Sequence, residues 1–349
     1  MAVAASDLPH PEGTAAGRDL WAWCEAALAL GHELEAWIWN RSPSSPAGPV
    51  PPWASYRPVP PASSSRWGTF VTPAQAASWH PDPEAVVVAD HLPSAGAVAG
   101  RRRAVVTLHY RALADARSVR QVRPWHLRTA FEEQRAVRRA ELVLAYSERV
   151  GRHLTRPAHV VPMTCPLPAQ AVDPVEEPVA ALIADWWWRP NRLALDHLLA
   201  LWPDVRAVVP TARLLLAGRH FPADAVGHVP GVEVLGPVPS SVDLLERAAV
   251  VAFPCPTSSG PKGKTLEAMA YGVPVLTTPA GMEGIVLGPE GDAMVVRRSA
   301  FAARLASLLQ DPEARARLGR IGRQAVADHH SPRAAAQARV AAFSSAFGL

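Results

Sequence analysis

The sequence predicts an α/β protein with two domains, each built on a doubly wound parallel sheet. At 349 residues the chain is long enough for two domains of ordinary size, each with its own core. Short, near-continuous apolar runs alternate with segments of helical periodicity, which is typical of parallel strands buried on both faces. The clearest runs are Ala85–Ala89, Ala104–Leu108, Leu214–Ala217, Val232–Leu235, Val250–Phe253 and Val273–Leu276.

A proline-rich, polar stretch divides the chain between the two groups of strands. Residues 166–178 have the composition of an interdomain linker. We therefore expect a first domain over residues 1–165 and a second over residues 179–330. In a doubly wound sheet, ligands bind outside the carboxyl ends of the strands. Side chains in the loops that follow the strands are the first candidates for a functional site.

Composition and charge exclude several classes of protein. Hydrophobic residues make up 49% of the sequence and charged residues 19%, which is typical of a globular protein. No apolar run reaches the roughly 18 residues of a membrane helix. A net charge of +4 and a pI near 9.3 are mildly basic. They fit an acidic ligand or a loose contact with an anionic membrane, and the charge is too weak and dispersed to indicate nucleic acid.

The start of the chain and its cysteines predict a cytoplasmic protein. Asp7, His10 and Glu12 fall within the first twenty positions, where a secretory signal needs an apolar core. Three widely spaced cysteines argue against a disulfide frame or a zinc site and favour a reducing compartment. We expect no metal and no cofactor. No pattern predicts an oligomeric state.

The stretch Phe253–Ile285 carries the strongest indication of a site. It reads as a strand end, a Gly/Ser loop, a helix from Lys264 to Tyr271, a second strand and a second loop. Parallel strands send both loops to the same edge of the sheet. Gly260 and Gly263 let backbone N–H groups approach a ligand, and the helix start turns its positive dipole end toward the same space. This arrangement suits a phosphate.

Charged residues in this stretch indicate which phosphate ligand it holds. Lys262 and Lys264 are the only lysines in a chain whose other cationic side chains are arginines. A compact, mobile ammonium suits a diphosphate. Glu267, in the first turn of the helix, is placed to accept hydrogen bonds from a pair of sugar or ribose hydroxyls. The alternative is a solvated helix start that binds nothing.

The residues of this stretch resemble a known signature. The pattern S-x-G-x-K-x-K-x-x-E-A-M-A-x-G-x-P-V-x-x-T-x-x-G-x-E-G is similar to the donor-binding motif of family 4 glycosyltransferases, which are retaining enzymes of the GT-B fold. The likeness continues upstream through Asp185–Asn191, Pro210–Arg219 and Val232–Val238. It implies two Rossmann-like doubly wound domains that face each other across a cleft. It also implies that the last helix, Ser331–Phe347, crosses back onto the first domain.

The resemblance implies further donor contacts in the second domain. Val238 follows the strand Val232–Leu235 and falls where relatives receive the nucleotide base. Thr265 and Leu266 follow Lys264 at the helix start and belong to the same expected contact set. The implied donor is a nucleotide diphosphate sugar, with a UDP-sugar favoured over a GDP-sugar.

Two departures from the family pattern concern the sugar and the diphosphate. Ser259 stands where the family has the first glutamate of a spaced pair, so contact with the donor sugar must come from this serine and from backbone amides such as that of Gly260. Asp185 and Asn191 stand near the places of an arginine and a lysine that clamp the diphosphate. The candidate replacements are Arg189, Arg192, Lys262 and Lys264.

In the first domain the resemblance points to strand ends. Gly13 and Gly17 lie in the loop after the short strand Ala2–Ala5, which in the family faces the donor, although an ordinary turn explains them equally well. His109 follows a buried strand and matches a family histidine that lies against the donor sugar. His91 follows the preceding strand. A histidine at a strand end is otherwise an ordinary surface residue.

Two other parts of the first domain are candidates for acceptor or membrane contact. The segment Ser42–Pro83 is rich in Pro, Ser and Trp. Its tryptophans, Trp53, Trp67 and Trp79, either form a stacking surface for an acceptor or cover the core. The chain is helical and basic over residues 115–154. Its arginines could attract anionic lipid or a phosphorylated acceptor, or they form a solvated helix face.

These inferences combine into one hypothesis of function. The chain would transfer a hexosyl group from the donor to a hydroxyl of a small-molecule, natural-product or glycan acceptor. The anomeric configuration would be retained, no metal would take part, and Lys262, Lys264 and His109 would be the catalytic residues. The alternatives are a sugar-nucleotide epimerase of the same fold and a non-catalytic GT-B partner protein. The base, the sugar, the acceptor and the linkage stay open.

Overall fold

Two compact units make up the chain. The first comprises Met1–Thr164 and Ser331–Leu349, and the second comprises Cys165–His330. The computed structural model describes residues 1–11, 13–39, 50–56, 70–118, 120–222, 226–227, 229–257 and 260–349. Of the residues named above, Glu12, Ser42, Trp67 and Ser259 lie outside the described residues.

In the described part of the first unit, a seven-stranded parallel sheet forms the centre. Its strands are β1 (Ala2–Ala5), β2 (Glu35–Ile38), β3 (Ala54–Tyr56), β4 (Val87–Asp90), β5 (Ala104–Leu108), β6 (Leu142–Ala145) and β7 (His159–Val160). They lie in the order β3-β2-β1-β4-β5-β6-β7, so the direction of winding reverses between β1 and β4. In folds of this kind the carboxyl ends at the reversal border a ligand crevice.

Helices pack on both faces of this sheet. They are α1 (Ala15–Ala29), α2 (Pro73–Ala76), α3 (Ala112–Ser118), α4 (Pro124–Arg139) and α5 (Glu148–Gly151), with a 3-10 helix at Leu92–Val98. Ala2 and Ala4 pack with Trp37 in one apolar cluster. Val3 and Ala5 pack with α1 in a second cluster. This burial on both faces explains the near-continuous apolar runs in the sequence.

The helical stretch expected over residues 115–154 is wrong in its continuity. α3 ends at Ser118 and α4 begins at Pro124. Proline has no N–H with which to continue a helix, and it disfavours helical backbone in the residue before it. Arg120 between the two helices has a φ of +52°. β6 then follows α4 after a short turn.

Among the residues described for the second unit, five parallel strands form the central sheet. Its strands are β8 (Val179–Ile183), β9 (Arg213–Ala217), β10 (Val232–Gly236), β11 (Val250–Phe253) and β12 (Val275–Thr277). They lie in the order β10-β9-β8-β11-β12, with the reversal between β8 and β11. Each unit is therefore a doubly wound parallel α/β sheet, which confirms the predicted fold class.

The remaining helices belong to both units. The second unit contains α6 (Arg189–Val208), α7 (Val242–Leu245), α8 (Gly263–Ala270), α9 (Phe301–Gln310) and α10 (Pro312–Ala325). The last helix, α11 (Pro332–Phe347), packs in the first unit beside α1 through Ala336 and Phe343. Within the described ranges, no helix combines the length and the apolar character that a membrane crossing requires.

Gly218, just after β9, allows two backbone segments to approach closely. Its φ is +122°, and a Cβ built on it would lie 1.8 Å from the carbonyl oxygen of Ala184. We predict that Gly218→Ala destabilises the second unit by about 3 kcal/mol, because the methyl group forces the segments apart and alanine disfavours this φ. A melting experiment should show a fall of about 6–12 °C for a unit of this size.

Gly288→Ala is the matched control for this prediction. Gly288 has a φ of −70°, and a Cβ built on it would meet no atom within 4 Å. Its melting temperature should stay within about 1 °C of the wild-type value. Equal melting temperatures for the two variants would contradict the explanation.

Candidate functional site

The candidate site of the second unit lies where its sheet reverses direction. β8 and β11 are neighbours, and the segments that follow them leave from the same carboxyl edge. β8 leads into α6 and β11 leads into α8. The N-terminus of a helix has free N–H groups and the positive end of the helix dipole. This edge of the sheet therefore favours an anion.

Lys264 connects the two segments. It lies in the first turn of α8, and its Nζ donates a hydrogen bond of 2.5 Å to Oδ1 of Asn191 in α6. The Nδ2 atom of Asn191 donates at 2.8 Å to the backbone carbonyl of Asp185. The ammonium also lies 4.4 Å from the ring centroid of Phe253, at the end of β11. The predicted lysine thus has a defined position at the reversal of the sheet.

Burial has a large effect on the charge of Lys264. Loss of hydration is the main cause that lowers the pKa of this amine to about 7; the charges of Cys255 and Asp185 raise it, and the charge of Lys262 lowers it. In the ligand-free protein the amine is therefore close to half-protonated at neutral pH. A bound diphosphate would favour the ammonium, because an opposite charge at contact distance raises the pKa of an amine.

Lys262 is buried and directed toward its own loop. Its Nζ donates to the carbonyl of Gly260, and the residue is the N-cap of α8. Gly260 has a φ of +75°, and its N–H donates at 3.0 Å to Oε1 of Glu283, in the loop after β12. Two of the groups expected to meet a phosphate therefore have partners within the protein. A ligand has to replace these hydrogen bonds when it binds.

The other predicted residues of α8 differ in their surroundings. Glu267 is half-buried, and its Oε1 accepts a hydrogen bond of 2.8 Å from Oγ of Ser241. Thr265 is buried and donates at 3.3 Å to the carbonyl of Gly281. Leu266 is buried in the core. The side chains of Thr265 and Leu266 hold α8 in place, so a ligand would meet their backbone.

Asp185 is the centre of an exposed charged cluster at the same edge. Its carboxylate accepts hydrogen bonds from Nδ1 of His220 at 3.0 Å and from the N–H of Trp187 at 3.1 Å, and it pairs with Arg219 at 3.3 Å. Burial raises the pKa of Asp185, but these partners outweigh it and lower the pKa below its usual value. Asp185 stays anionic and pairs with Arg219 and His220 at the place where the family resemblance implies a clamp for the diphosphate.

Three further residues predicted to contact the donor lie at the same edge of the sheet. Arg189 and Arg192 project from the first turn of α6 with exposed side chains. Val238 is half-buried in the loop after β10. Contact of these residues with a donor stays a prediction, as does the role of Ser259. In the described ranges, no group of three His, Cys, Asp or Glu side chains is arranged to hold a metal ion.

In the first unit, His109 lies between two aromatic rings after the end of β5. Its ring stacks on that of Tyr146 with centroids 4.4 Å apart and on that of His91 at 4.7 Å. Its Nε2 lies 3.5 Å from Oδ1 of Asp90, the last residue of β4. The two histidines that the sequence indicates are thus in contact, next to the reversal of the first sheet.

The surroundings of His109 favour its protonated form. Burial opposes protonation and is the largest single effect. The charge of Asp90, the hydrogen bond to it and the charge of Asp19 together outweigh burial, so the pKa of His109 is raised; the charge of Arg339 acts in the opposite direction. The positive charge of His109 therefore persists to a higher pH than usual and is lost as the pH rises through the raised pKa.

Gly13 and Gly17 have packing explanations in the loop before α1. A Cβ on Gly17 would lie 2.4 Å from the carbonyl oxygen of Leu8, and one on Gly13 would lie 3.2 Å from that of His10. The N–H of Gly17 donates at 3.0 Å to Oγ1 of Thr14, the N-cap of α1. Close backbone contacts account for both glycines, and their contact with a donor stays a prediction.

Trp53 and Trp79 cover the core of the first unit. Trp79 is buried and stacks on Trp37 with ring centroids 5.6 Å apart. Trp53 packs against the apolar cluster beside α1, and its Nε1 donates at 2.6 Å to Oε1 of Glu25. Of the two interpretations, the acceptor-stacking surface is wrong for the buried Trp79, and the packing of Trp53 favours the core-covering one.

For several residues of the site, the sequence did not predict a role. Asn191 is predicted only as a departure, whereas it holds the Lys264 ammonium. Glu283 belongs to the quoted motif, so its acidic type could have drawn notice. Ser241 and Tyr146 carry no signal, because a single hydroxyl residue is common in any loop or strand end.

The second unit matches a known family. Residues 177–311 match the model of the family described as glycosyl transferases group 1. These residues form a glycosyltransferase domain. The match spans the sequence from β8 through α9, and it includes Asn191, Lys264 and Glu283. It confirms the predicted enzyme class for this domain.

Solved structures share the fold of this chain. Sucrose-phosphate synthase from Thermosynechococcus elongatus has a TM-score of 0.74 at 17% identity, over 99% of each chain. HepE from Anabaena, in complex with UDP and glucose, has a TM-score of 0.66 at 17% identity, over 99% of each chain. These likenesses and the two parallel sheets confirm the GT-B fold.

A larger protein shares the fold over part of its length. A mutant TarM from S. aureus, in complex with Fondaparinux, α-GlcNAc-glycerol and UDP, has a TM-score of 0.63 at 11% identity over 75% of this chain. The present chain spans 56% of the TarM chain. No curated protein matches it by sequence.

Proposed function

We propose that this protein is a retaining glycosyltransferase of family 4. It transfers a hexosyl group from a nucleotide diphosphate sugar, with a UDP-sugar favoured, to a hydroxyl of a small-molecule, natural-product or glycan acceptor. One observation carries the proposal: the Lys264 ammonium is held by Asn191 at the sheet reversal of a glycosyltransferase domain, with Lys262 at the start of the same helix. HepE, which is similar in fold, binds UDP and glucose.

The cations of this site suit the charge that develops in the reaction. As the bond between the anomeric carbon and the diphosphate oxygen breaks, positive charge grows on the sugar ring and negative charge on the diphosphate. Lys262, Lys264 and the N–H groups at the start of α8 stabilise the diphosphate more in the transition state than in the bound donor, which lowers the barrier. In this proposal the ammonium groups take the place of a metal ion.

Retention follows from attack on the face that the leaving group occupies. The acceptor oxygen forms its bond to the anomeric carbon as the diphosphate oxygen leaves, and the acceptor proton passes to that oxygen. The products are the glycoside and the nucleoside diphosphate. We assign His109 to a hydroxyl of the donor sugar, to which its imidazolium donates a hydrogen bond.

Binding and transfer assays test this proposal. A donor that binds the folded protein raises its melting temperature, so UDP-glucose, UDP-galactose and GDP-mannose are compared first. The best donor is then incubated with a panel of alcohols and sugars, and the anomeric configuration of the product is read by NMR. Conversion of the donor to its epimer without acceptor would support the epimerase instead. No binding of any nucleotide sugar would support the non-catalytic alternative.

The affinity for UDP-glucose should fall as the pH rises above neutrality. The free amine of Lys264 has a pKa of about 7, and a diphosphate requires its charged form, so binding above pH 7 takes up a proton. The dissociation constant should rise by up to about tenfold per pH unit until the higher pKa of the bound form is reached. Calorimetry in buffers of different ionisation enthalpy measures the proton uptake directly.

Lys264→Arg is the control for this pH dependence. A guanidinium stays charged throughout the range, so the affinity of this variant should stay constant while the wild-type affinity falls. The diphosphate of UDP-glucose has no proton to lose in the same range. A constant wild-type affinity without proton uptake would show that Lys264 does not bind the diphosphate.

We further propose that the protein is cytoplasmic and meets anionic membranes through α4. Leu127 and Phe131, one turn apart, are 55% and 64% exposed. Arg128, Arg135 and Arg138 are exposed on the same helix. An apolar strip beside arginines suits an interface of anionic lipid. The cysteines Cys24, Cys165 and Cys255 are buried thiols, which suits a reducing cytoplasm.

Sedimentation with vesicles tests the membrane contact. The wild-type protein should sediment with vesicles of phosphatidylcholine and phosphatidylglycerol but not with phosphatidylcholine alone. Leu127→Ser combined with Phe131→Ser should lower the partition coefficient onto these vesicles by about a hundredfold or more, because each buried apolar side chain contributes roughly 1.5–3 kcal/mol. The control is Val208→Ser, which changes a residue of α6 that is 54% exposed. Equal binding by both variants would exclude α4 as the contact.

A further inference from the structure

A set of buried polar groups connects α11 with His109 in the first unit. Arg339 in α11 is 2% exposed, Asp19 in α1 is 1% exposed, and Tyr146 after β6 is 2% exposed. Nη2 of Arg339 donates at 3.0 Å to the hydroxyl of Tyr146 and lies 3.7 Å from Oδ2 of Asp19. The hydroxyl of Tyr146 donates in turn to the same carboxylate oxygen. Three elements far apart in sequence therefore meet at one phenol oxygen.

The charged side chains of this cluster also form hydrogen bonds with backbone groups, as buried charges require. Nη1 of Arg339 donates to the backbone carbonyls of Ala335 at 3.0 Å and Pro162 at 3.2 Å. Oδ1 of Asp19 accepts a hydrogen bond of 2.6 Å from the N–H of Thr164. Apolar side chains of similar volume often stabilise a fold as well as a buried ion pair does. Stability alone therefore does not explain the ion pair of Arg339 and Asp19, whereas its hydrogen bonds fix the positions of the groups around it.

The ring of Tyr146 connects this cluster to His109 by direct contact. The two rings stack 4.4 Å apart with an interplanar angle of 18°. The ring of His91 stacks on His109 at 4.7 Å, and Asp90 lies at its Nε2. The imidazole of His109 is therefore positioned by three side chains: those of Tyr146, His91 and Asp90. Arg339 and Asp19 fix the hydroxyl of Tyr146 and so prevent the ring from turning away.

We propose that Arg339 is a positioning residue for His109, acting through Asp19 and Tyr146. The inference rests on the proposed function, in which His109 contacts the donor sugar. Arg339 is buried among backbone carbonyls and the phenol, so it acts on the reaction only through these neighbours. In this view α11 does more than cover an apolar face, because it supplies a side chain on which the placement of His109 depends.

The same cluster affects the charge of His109. The titratable groups around the imidazole are Asp90, Asp19, Arg339, Tyr146 and His91, with Tyr110 beyond His91. The charge of Asp19 raises the pKa of His109, and the charge of Arg339 lowers it. Loss of the Arg339 cation leaves Asp19 uncompensated, so the pKa of His109 should rise. A lysine keeps the charge but lacks the planar fork of donors.

Three variants of the full-length protein test the inference. Arg339→Gln removes the charge, Arg339→Lys keeps it, and Tyr146→Phe keeps the ring but removes the hydroxyl. We expect Arg339→Gln and Tyr146→Phe to lower kcat by about tenfold to a hundredfold, the effect of a displaced catalytic group, while the KM for the donor changes little. Arg339→Lys should recover part of the loss.

An NMR titration supplies a readout that needs no substrate. The Cε1–H signal of His109 is assigned by its absence in His109→Gln, and Arg339→Gln should shift its midpoint to higher pH. The control is Arg315→Lys, which changes a buried arginine of the second unit that donates to backbone carbonyls. This control should lower the melting temperature and leave the His109 titration as in the wild type.

The outcomes separate this inference from the proposed function. Folded variants with an unchanged kcat and an unchanged His109 titration would overturn the inference, even where the melting temperature falls. A wild-type protein that binds no nucleotide sugar would overturn the proposed function, and the titration would still decide whether Arg339 acts on His109. A shifted titration with a reduced kcat supports both.

Discussion

Replacement of both lysines at the start of α8 by alanine is expected to abolish donor binding. In Lys262→Ala combined with Lys264→Ala, the diphosphate loses two ammonium groups, and Asn191 loses its partner. We expect kcat/KM to fall by about 10³-fold or more, because a single group that stabilises developing charge contributes about 10²–10³. UDP-glucose should no longer raise the melting temperature by more than about 1 °C.

Two further variants separate charge from position. Arg213→Gln removes an exposed cation at the start of β9, where it pairs with Glu233 at 2.6 Å, and it should leave donor binding unchanged. Asn191→Ala leaves Lys264 in place without its acceptor and should give an intermediate loss. Full donor binding by the double alanine variant would remove the basis of the proposed function.

A His109→Gln variant is expected to bind the donor almost as well as the wild type but to transfer the sugar about a hundred times more slowly. Removal of a positioned group that donates a proton or a hydrogen bond to the reacting sugar costs about 10²–10⁴ in rate. The residues proposed to contact the diphosphate lie in the second unit and are unchanged in this variant. Steady-state kinetics should therefore show a fall in kcat with a nearly constant KM for the donor.

His159→Gln is the control for this second prediction. His159 lies in β7 with an exposed side chain, so its replacement should change neither kcat nor KM. Wild-type turnover by His109→Gln would mean that the histidine takes no part in the reaction. Donor binding without any turnover in the wild type would favour the non-catalytic alternative.

The strands could be predicted because buried parallel strands appear in the sequence as short, near-continuous apolar runs. β5 and β11 have the bounds that their apolar runs predict, and every residue in both is buried. The start of α8 could be predicted as well, since a Gly-rich loop followed by lysines and an apolar pattern is a local signal. The gap between α3 and α4 was missed because the helical periodicity on either side of it outweighed the single Pro124.

The partners of the site residues could not be predicted in the same way. Asn191 is 73 positions from Lys264, and Glu283 is 23 positions from Gly260. Such pairs depend on how loops from different strands pack, which leaves no periodic pattern. Asp185 is the clearest example. In the sequence it stands near the place where the resemblance implies a cationic residue, whereas in the structure its carboxylate pairs with Arg219 and His220.

The first unit is assembled from both ends of the chain, whereas the second is one continuous segment. During synthesis on the ribosome the second unit can fold as soon as residue 330 has emerged. The first cannot finish, because α1 lacks its neighbour and Asp19 lacks its arginine until Ser331–Leu349 is made. The usual order, in which the N-terminal domain folds first, is reversed. A nascent chain that stops before α11 presents an open apolar face, which makes it a substrate for chaperones and proteases.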